Sequence, residues 1–421
     1  AKASWQWLAL AGVALGFAFL TKMLEGLLVL PGIALAYLVF ANTTLVKRLV
    51  HLVIAAAALV LSAGWWVVVV ALWPSSARPY IGGSTNNSVL DLVFGYNGFG
   101  RIFGSSSGGG GGGSDSEAGI TRLFSGEMGL EISWLLPAAL IALVLGLAVS
   151  RSRAVRASLV MWGGWLFVTS IVFSYMSGTI HPYYTVALAP AIAGLIATGG
   201  IVLWHARERW IGRLGLAAMI FAAGVWGFIL LSEDTTFLPG LRFVVIGVAL
   251  LASVLLVAAS ALGLRRLAAA MLIVGTVTGL AGPVAYSVAT ASVGHTGSIP
   301  SVGVSSAGSS TTSAADLSSL LASTDARWAA AITGSSAAAT VELSTGTAVM
   351  AIGGWRDDPT PTLAEFQAYV AAGDVGYYLV SDSRGGGGRS NSSTGSEISE
   401  WVAANYSSTT VDGYTVYDLA G

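Results

Sequence analysis

With 421 residues of which 54% are hydrophobic and only 10% charged, and a mean hydropathy of +0.75, the chain cannot be a wholly soluble protein. Its formal net charge of -1 conceals an asymmetry: residues 1–290 hold 16 basic and 9 acidic side chains, whereas 291–421 hold 4 and 12. The acidic tail gives phosphate polymers no footprint, which argues against nucleic acid as a partner, and the lack of cysteine excludes disulfides and thiolate chemistry.

A bilayer core takes about 20 consecutive apolar residues per helix. Nine segments fit or approach this pattern: 4–20, 25–41, 50–72, 133–150, 157–176, 183–203, 214–231, 241–263 and 267–289. The chain opens on Ala1 with neither an initiator Met nor a signal-peptide pattern, so a fragment lacking an N-terminal part is the expectation. The expected architecture is a polytopic α-helical membrane protein of about nine transmembrane helices with a small C-terminal α/β domain. Its parts are a membrane region 1–290, a linker 291–312 rich in Gly, Ser and Thr, and the α/β domain 313–421.

Orientation follows from where Lys and Arg collect. Starting the chain inside the cell gives eleven cytoplasmic cations (Lys2, Lys47, Arg48, Arg151, Arg153, Arg156, Arg207, Arg209, Arg213, Arg265 and Arg266) and five outer ones (Lys22, Arg78, Arg101, Arg122 and Arg242). The tail then lies outside a plasma membrane, and any chemistry faces outward. In that frame Lys22 and Glu25 sit between two apolar segments on the side the positive-inside bias avoids, where an unforced ammonium marks a site by default. The alternative is a turn lysine that snorkels or pairs with Glu25.

The outer loop 73–132 brings Arg78, Tyr80, Asn86, Asn87, Asp91, Tyr96, Asn97 and Arg101, residue types suited to a phosphate or to sugar hydroxyls, though equally at home in a solvated loop. Its run Gly108 to Gly113 reads as a flexible insertion and not as a phosphate cradle. Glu117, Arg122, Glu127 and Glu131 close the loop and read as rim ion pairs of small worth. Further on, His181-Pro182-Tyr183-Tyr184 forms a crowded outer turn. An aromatic belt explains one tyrosine, and the set suits a polar headgroup. Pro190 reads as a local kink within a span. The four histidines have no metal-ligand spacing, so no metal site is expected.

In the tail, helices are expected at 315–323, 362–372 and 397–404, strands at 340–343, 348–352 and 375–380, and a hairpin or edge strands over 409–417, with Gly385 to Gly388 a second flexible insertion.

With Gly-Phe-Ala-Phe-Leu-Thr-Lys at 16–22, the paired segment ending near Tyr37, Gly-Tyr-Asn-Gly at 95–98 and His-Pro-Tyr-Tyr at 181–184, the chain resembles the protein-mannosyltransferase and aminoarabinose-transferase superfamily. It looks most like actinobacterial mannosyltransferases with an extracytoplasmic C-terminal domain, and three lysines against seventeen arginines fit a high-GC source.

The resemblance implies a GT-C fold, here partial, and transfer of a sugar from a polyprenyl-phosphate carrier to a cell-envelope acceptor, whether protein, lipid or glycan, on the outer face. It implies that Lys22 lies near the carrier phosphate and that Tyr183 or Tyr184 lines the cavity. Charge and side add His181, Arg78 and Arg101 to the donor phosphate, and Asn97, Tyr96, Asp91 and Glu25 to sugar or acceptor. Membrane lipids are the remaining partners. No cofactor is implied, with a divalent cation left open. The family's catalytic carboxylate precedes the Leu-Thr-Lys segment, so its absence and a loss of turnover are the corresponding expectations. A lipid-carrier flippase and a noncatalytic surface-binding protein are the alternatives.

Overall fold

The structure is a computed structural model that describes residues 3–104, 117–234, 236–294, 301–303, 315–355, 357–381 and 394–419. The Gly-rich tract 108–113, Gly385 to Gly388 and most of the linker 291–312 lie outside the described residues. Two compact units divide the chain: Ala1–Val68 with Gly98–Gly104 and Gly112–Ala307, and Val69–Asn97 with Ser105–Gly111 and Gly308–Gly421.

The first unit is a helical membrane bundle. Its helices are α1 (Trp5–Lys22), α2 (Leu30–Phe40), α3 (Leu45–Leu72, whose last turn belongs to the second unit), α4 (Leu136–Val149), α5 (Arg153–Tyr175), α6 (Ala189–His205), α7 (Trp210–Leu230), α8 (Leu241–Ala261) and α9 (Arg265–Ser292). Eight helical stretches among the described residues are long and apolar enough to cross a membrane. Of the nine segments in the sequence pattern, 25–41 is corrected from one helix to a broken one. Within 25–41 only the 11 residues of α2 are α-helical, about 16 Å at 1.5 Å per residue, against a hydrocarbon core of about 30 Å.

The chain nevertheless makes the return that the pattern requires. Lys22 ends α1, Met23 takes the left-handed φ of 37°, and a 3₁₀ turn (Met23–Leu27) folds back so that a Cβ on Gly26 would lie 2.7 Å from the Ala18 carbonyl. Helices α1 and α3 then run parallel, because Gly12 meets Ala55 and Gly16 meets Leu59 and Ser62. Two parallel neighbours need one traverse between them, and Met23–Phe40 supplies it in broken form.

Lipid tails are as apolar as the helices, so close packing and not burial from water holds such bundles together. Glycine makes the approach possible: a Cβ on Gly164 would sit 2.7 Å from the Gly32 Cα, where α2 crosses α5. Around α4, α5 and the 182–195 stretch, Leu136, Leu159, Leu166, Phe173, Leu188 and Leu195 form a dry core. Pro190 is the second residue of α6, where a missing N–H costs nothing, and within the Pro182–His205 span it stands where a 3₁₀ helix gives way to the α-helix.

The tail within the second unit is a three-layer α/β/α sandwich. Its elements are α10 (Ala315–Leu321), β1 (Trp328–Thr333), α11 (Ser335–Thr345), β2 (Val349–Ile352), α12 (Leu363–Ala371), β3 (Val375–Ser381), α13 (Thr394–Asn405), β4 (Ser408–Val411) and β5 (Tyr414–Asp418). The sheet order is β2-β1-β3-β5-β4, with β2, β1 and β3 parallel and β5 antiparallel to both of its neighbours, β3 and β4.

Alternation along β1 sends Ala330 and Ile332 to the α10/α11 face and Ala331 to the face covered by Phe366 of α12 and Ile398 and Val402 of α13. Thr362 caps α12, accepting the Glu365 N–H while Glu365 accepts from the Thr362 backbone. The strand expected at 340–343 is corrected: Thr340, Val341, Glu342 and Leu343 belong to α11. Strand β1 is the element the pattern did not show, because a run of three alanines lacks the β-branched signature that a central strand usually carries.

Candidate functional site

The site of the membrane unit assembles around a seven-residue 3₁₀ helix, Pro182–Leu188, entered from His181 in an extended conformation. Proline at the first position pre-sets the helical φ, and three residues per turn place neighbouring side chains about 120° apart. Tyr183 and Tyr184 therefore diverge, with ring centroids 4.9 Å apart at 85°. His181 stacks on Tyr183 at 5.5 Å, nearly coplanar in orientation, and meets Tyr184 edge-on at 5.2 Å.

Two cations close on this aromatic step from distant parts of the chain. The Lys22 Nζ lies 3.9 Å from the Tyr184 centroid and 5.1 Å from that of Tyr183, and pairs with the Glu25 carboxylate at 3.1 Å. Its side chain is 48% exposed and Glu25 only 18%, so the ammonium keeps an open side. Arg101, from the turn Gly100–Phe103, donates to the Tyr184 phenol oxygen at 2.7 Å and to the Thr179 carbonyl at 3.3 Å. A cation over a tyrosine face is worth about 0.5–2 kcal/mol depending on desolvation, and here one ring serves Lys22 while its hydroxyl serves Arg101.

The backbone around this step is pinned. Ser177 and Gly178 donate to the Ile102 and Arg101 carbonyls at 3.0 and 3.1 Å, so the 100–104 segment and the 176–184 turn form one small ladder. Gly178 approaches Gly100 so closely that any Cβ would collide. Arg122, 5% exposed, donates to the carbonyls of Phe173 and Met176 at 3.1 and 2.8 Å and holds the end of α5.

Burial, reinforced by the Arg101 and Lys22 charges, holds the His181 imidazole below its usual pKa, and its Nδ1 is buried without a hydrogen-bond partner. A neutral ring suits its stacked position.

The structure thus brings together Lys22, Glu25, Arg101, His181, Tyr183 and Tyr184. Arg78, Asp91, Tyr96 and Asn97 belong to the second unit. There Arg78 donates to the backbone carbonyls of Val70, Trp73 and Asn87, and Asp91 accepts from the Thr85 N–H and hydroxyl at 2.6 and 2.9 Å. Tyr96 flanks Gly83.

The expected rim ion pairs at 117–131 are corrected, because among the described residues none of these side chains forms one. Arg122 goes to carbonyls, Glu127 accepts the Val302 N–H at 3.0 Å, and Glu131 accepts from the Thr185 hydroxyl at 3.0 Å. Sequence reasoning undervalued Arg122 and Glu131. The available signal was their position at the edge of a span, where an ionisable group is costly. Among the described residues no three His, Asp or Glu side chains converge as a metal-binding group.

Two family descriptions match the chain: "Dolichyl-phosphate-mannose-protein mannosyltransferase" over residues 1–67 and "Putative mannosyltransferase YkcB-like, C-terminal" over 317–405. Among curated relatives from Bacillus subtilis (strain 168), "Putative mannosyltransferase YkcB" is 28% identical over 95% of this chain and 69% of its own length. "Putative mannosyltransferase YycA" is 27% identical over 97% of this chain and 72% of its own. Among solved structures, the crystal structure of ArnT from Cupriavidus metallidurans bound to undecaprenyl phosphate matches with a TM-score of 0.47 and 17% identity, over 100% of this chain and 71% of that one. Over 95–97% of its length, then, this multi-pass membrane chain is similar to proteins described as mannosyltransferases.

Proposed function

We propose that the chain is a membrane glycosyltransferase that moves a sugar, mannose by the description of its relatives, from a polyprenyl-phosphate carrier to a cell-envelope acceptor on the outer face. The observation that carries this reading is the Lys22–Tyr184–Arg101 cluster, two cations held beside one phenol at the end of a span. A lipid-linked phosphate presents its charge at that depth, with its chain among the helices.

In such a transfer the acceptor hydroxyl gives its proton to a carboxylate base and attacks the anomeric carbon, the bond from that carbon to the phosphate oxygen breaks, and the carrier phosphate leaves with the electron pair. The residues assembled here supply the leaving-group half of the reaction. Lys22 and Arg101 neutralise the growing phosphate charge, and low dielectric near the bilayer strengthens both contacts. The planar guanidinium suits phosphate oxygens, and Tyr184 holds it in place. His181 and Tyr183 form the aromatic wall, and Glu25 orients Lys22. Arg78, on the donor-phosphate side of the sequence reading, and Asn97, Tyr96 and Asp91, on its sugar and acceptor side, are residues of the second unit.

The outer-face assignment rests on the bias of eleven cations against five. The division into a membrane region 1–290 and an outer α/β domain 313–421 goes with it.

The test is transfer of label from radiolabelled polyprenyl-phosphate mannose by the native full-length protein in proteoliposomes supplied with envelope extract. Label should reach an acceptor with the wild type and fall at least tenfold with Lys22→Ala. Equal transfer by both proteins would refute the cluster's role, and donor that binds with no transfer to any extract would leave carrier binding without catalysis.

A further inference from the structure

Glu131 is the sixth residue of the Gly126–Val149 span, near its edge, and its single hydrogen bond among the described residues is the one it accepts from Thr185. A carboxylate within a span is expensive and is retained where it has a task. No cation pairs with Glu131 among the described residues, so charge balance does not explain it.

Its partner's position does. Thr185 is fully buried and directly follows Tyr184 in the 3₁₀ helix, whose three-fold repeat turns the two side chains about 120° apart. Tyr184 is gripped from one direction by Lys22 and Arg101, and Thr185 from another by Glu131. A 3₁₀ helix of seven residues is long for its kind and has poor internal hydrogen-bond geometry, so its rotation about its own axis needs an outside fix.

The ladder from Ile102 and Arg101 and the Arg122 clamp fix the turn before His181, and neither reaches past Pro182. Beyond it, Glu131 holds Thr185, and the Trp165 indole donates to the Ala187 carbonyl at 3.0 Å further along.

We infer that Glu131 is a positioning residue of the lipid-phosphate site: through its hydrogen bond with Thr185 it sets the rotation of the 182–188 helix that presents Tyr183 and Tyr184 to Lys22 and Arg101. This inference rests on the reading of that cluster as the phosphate site. It requires a hydrogen-bond acceptor at 131 and not a negative charge, which separates it from a role in proton transfer.

The experiment measures binding of undecaprenyl monophosphate to the purified full chain in nanodiscs, by native mass spectrometry, for the wild type, Lys22→Ala, Glu131→Ala, Glu131→Gln, Thr185→Val and the double variant Glu131→Ala/Thr185→Val. Thermal midpoints identify any variant that fails to fold. The expected result is a five- to thirtyfold loss with Glu131→Ala or Thr185→Val, no further loss in the double variant, and recovery to within about twofold of wild type with Glu131→Gln, whose amide oxygen still accepts. Glu131→Ala binding as wild type does, or Glu131→Gln losing as much as Glu131→Ala in a folded protein, would overturn the inference. Binding that is equal in wild type and Lys22→Ala would instead refute the phosphate-site reading itself.

Discussion

The Arg101 guanidinium donates to the phenol oxygen of Tyr184 at 2.7 Å, joining residues 83 positions apart and tying a turn of the 100–104 segment to the aromatic step that Lys22 covers. A charged hydrogen bond of this kind is worth about 1.5–3 kcal/mol. Its geometry also depends on the planar guanidinium, which reaches the Thr179 carbonyl at the same time.

Arg101→Lys should therefore behave as a loss and not as a conservative change, because an ammonium cannot span both acceptors. On the proposed reading of the cluster as a lipid-phosphate site, the expected effect is a roughly tenfold or greater fall in undecaprenyl-phosphate binding, by the range of such hydrogen bonds. Tyr184→Phe, which keeps the ring beneath Lys22 and removes the acceptor for Arg101, should fall by a similar factor. Binding isotherms in nanodiscs check both, and wild-type affinity in Arg101→Lys would show that the fork is not used.

His181 gives a pH dependence with a definite sign. Burial and the Arg101 and Lys22 charges lower its pKa in the folded protein, so between that value and the ordinary pKa of about 6.5 the unfolded chain binds more protons than the folded one. Stability contributed by the neutral ring is present above pH 6.5 and is lost as the pH falls through the folded value. Thermal midpoints measured from pH 8 to pH 5 for wild type and His181→Gln should show the wild type losing more on acidification. Parallel curves would contradict the prediction.

Helix packing in the bundle makes a contrast among glycines. Gly164 faces the Gly32 Cα with no room for a side chain, whereas a methyl group on Gly247 would meet nothing within 4 Å. Gly164→Leu should destabilise by at least about 1–3 kcal/mol, the usual cost of overpacking, while Gly247→Ala should be neutral or slightly stabilising. Thermal denaturation in one detergent compares the two, and a neutral Gly164→Leu would mean that α2 separates from α5 at little cost.

In the second unit the Asp358 carboxylate accepts the Gly83 N–H with both oxygens, at 3.1 and 3.3 Å, joining positions 275 apart in sequence. Gly83 has a φ of 80°, a conformation open to glycine, and the carboxylate fixes the turn it makes. Asp358→Ala should speed hydrogen exchange at 81–84, whereas Asp358→Asn, which keeps an acceptor, should retain most of the protection. Unchanged exchange in Asp358→Ala would show that the loop holds its shape through Asp91 and Asn87 alone.

Much of the membrane character was legible in the chain itself. Long apolar runs, charged ends and the His-Pro-Tyr-Tyr step are local features, and a bilayer reads local composition because each span must satisfy its own backbone. The pairing of Lys22 with Glu25, which the spacing offered as the alternative to a site lysine, is present. Where the reading failed, the deciding forces were not local. The segment 25–41, short for a span, was still drawn as one helix because composition does not record where Met23 reverses the chain. Three alanines lie in the interior strand β1, paired with β2 and β3 and buried on both faces of the sheet, a setting no propensity scale contains.

The sequence by itself determined that the chain is a multi-pass helical membrane protein with an acidic tail, since hydrophobic length and charge are properties of the unfolded polymer as much as of the folded one. Only the tertiary structure decided that Lys22, Arg101 and Tyr184, far apart along the chain, share one ring and its hydroxyl, and that Glu131 answers Thr185. Close packing sets those distances, and packing depends on the shapes of all the helices at once.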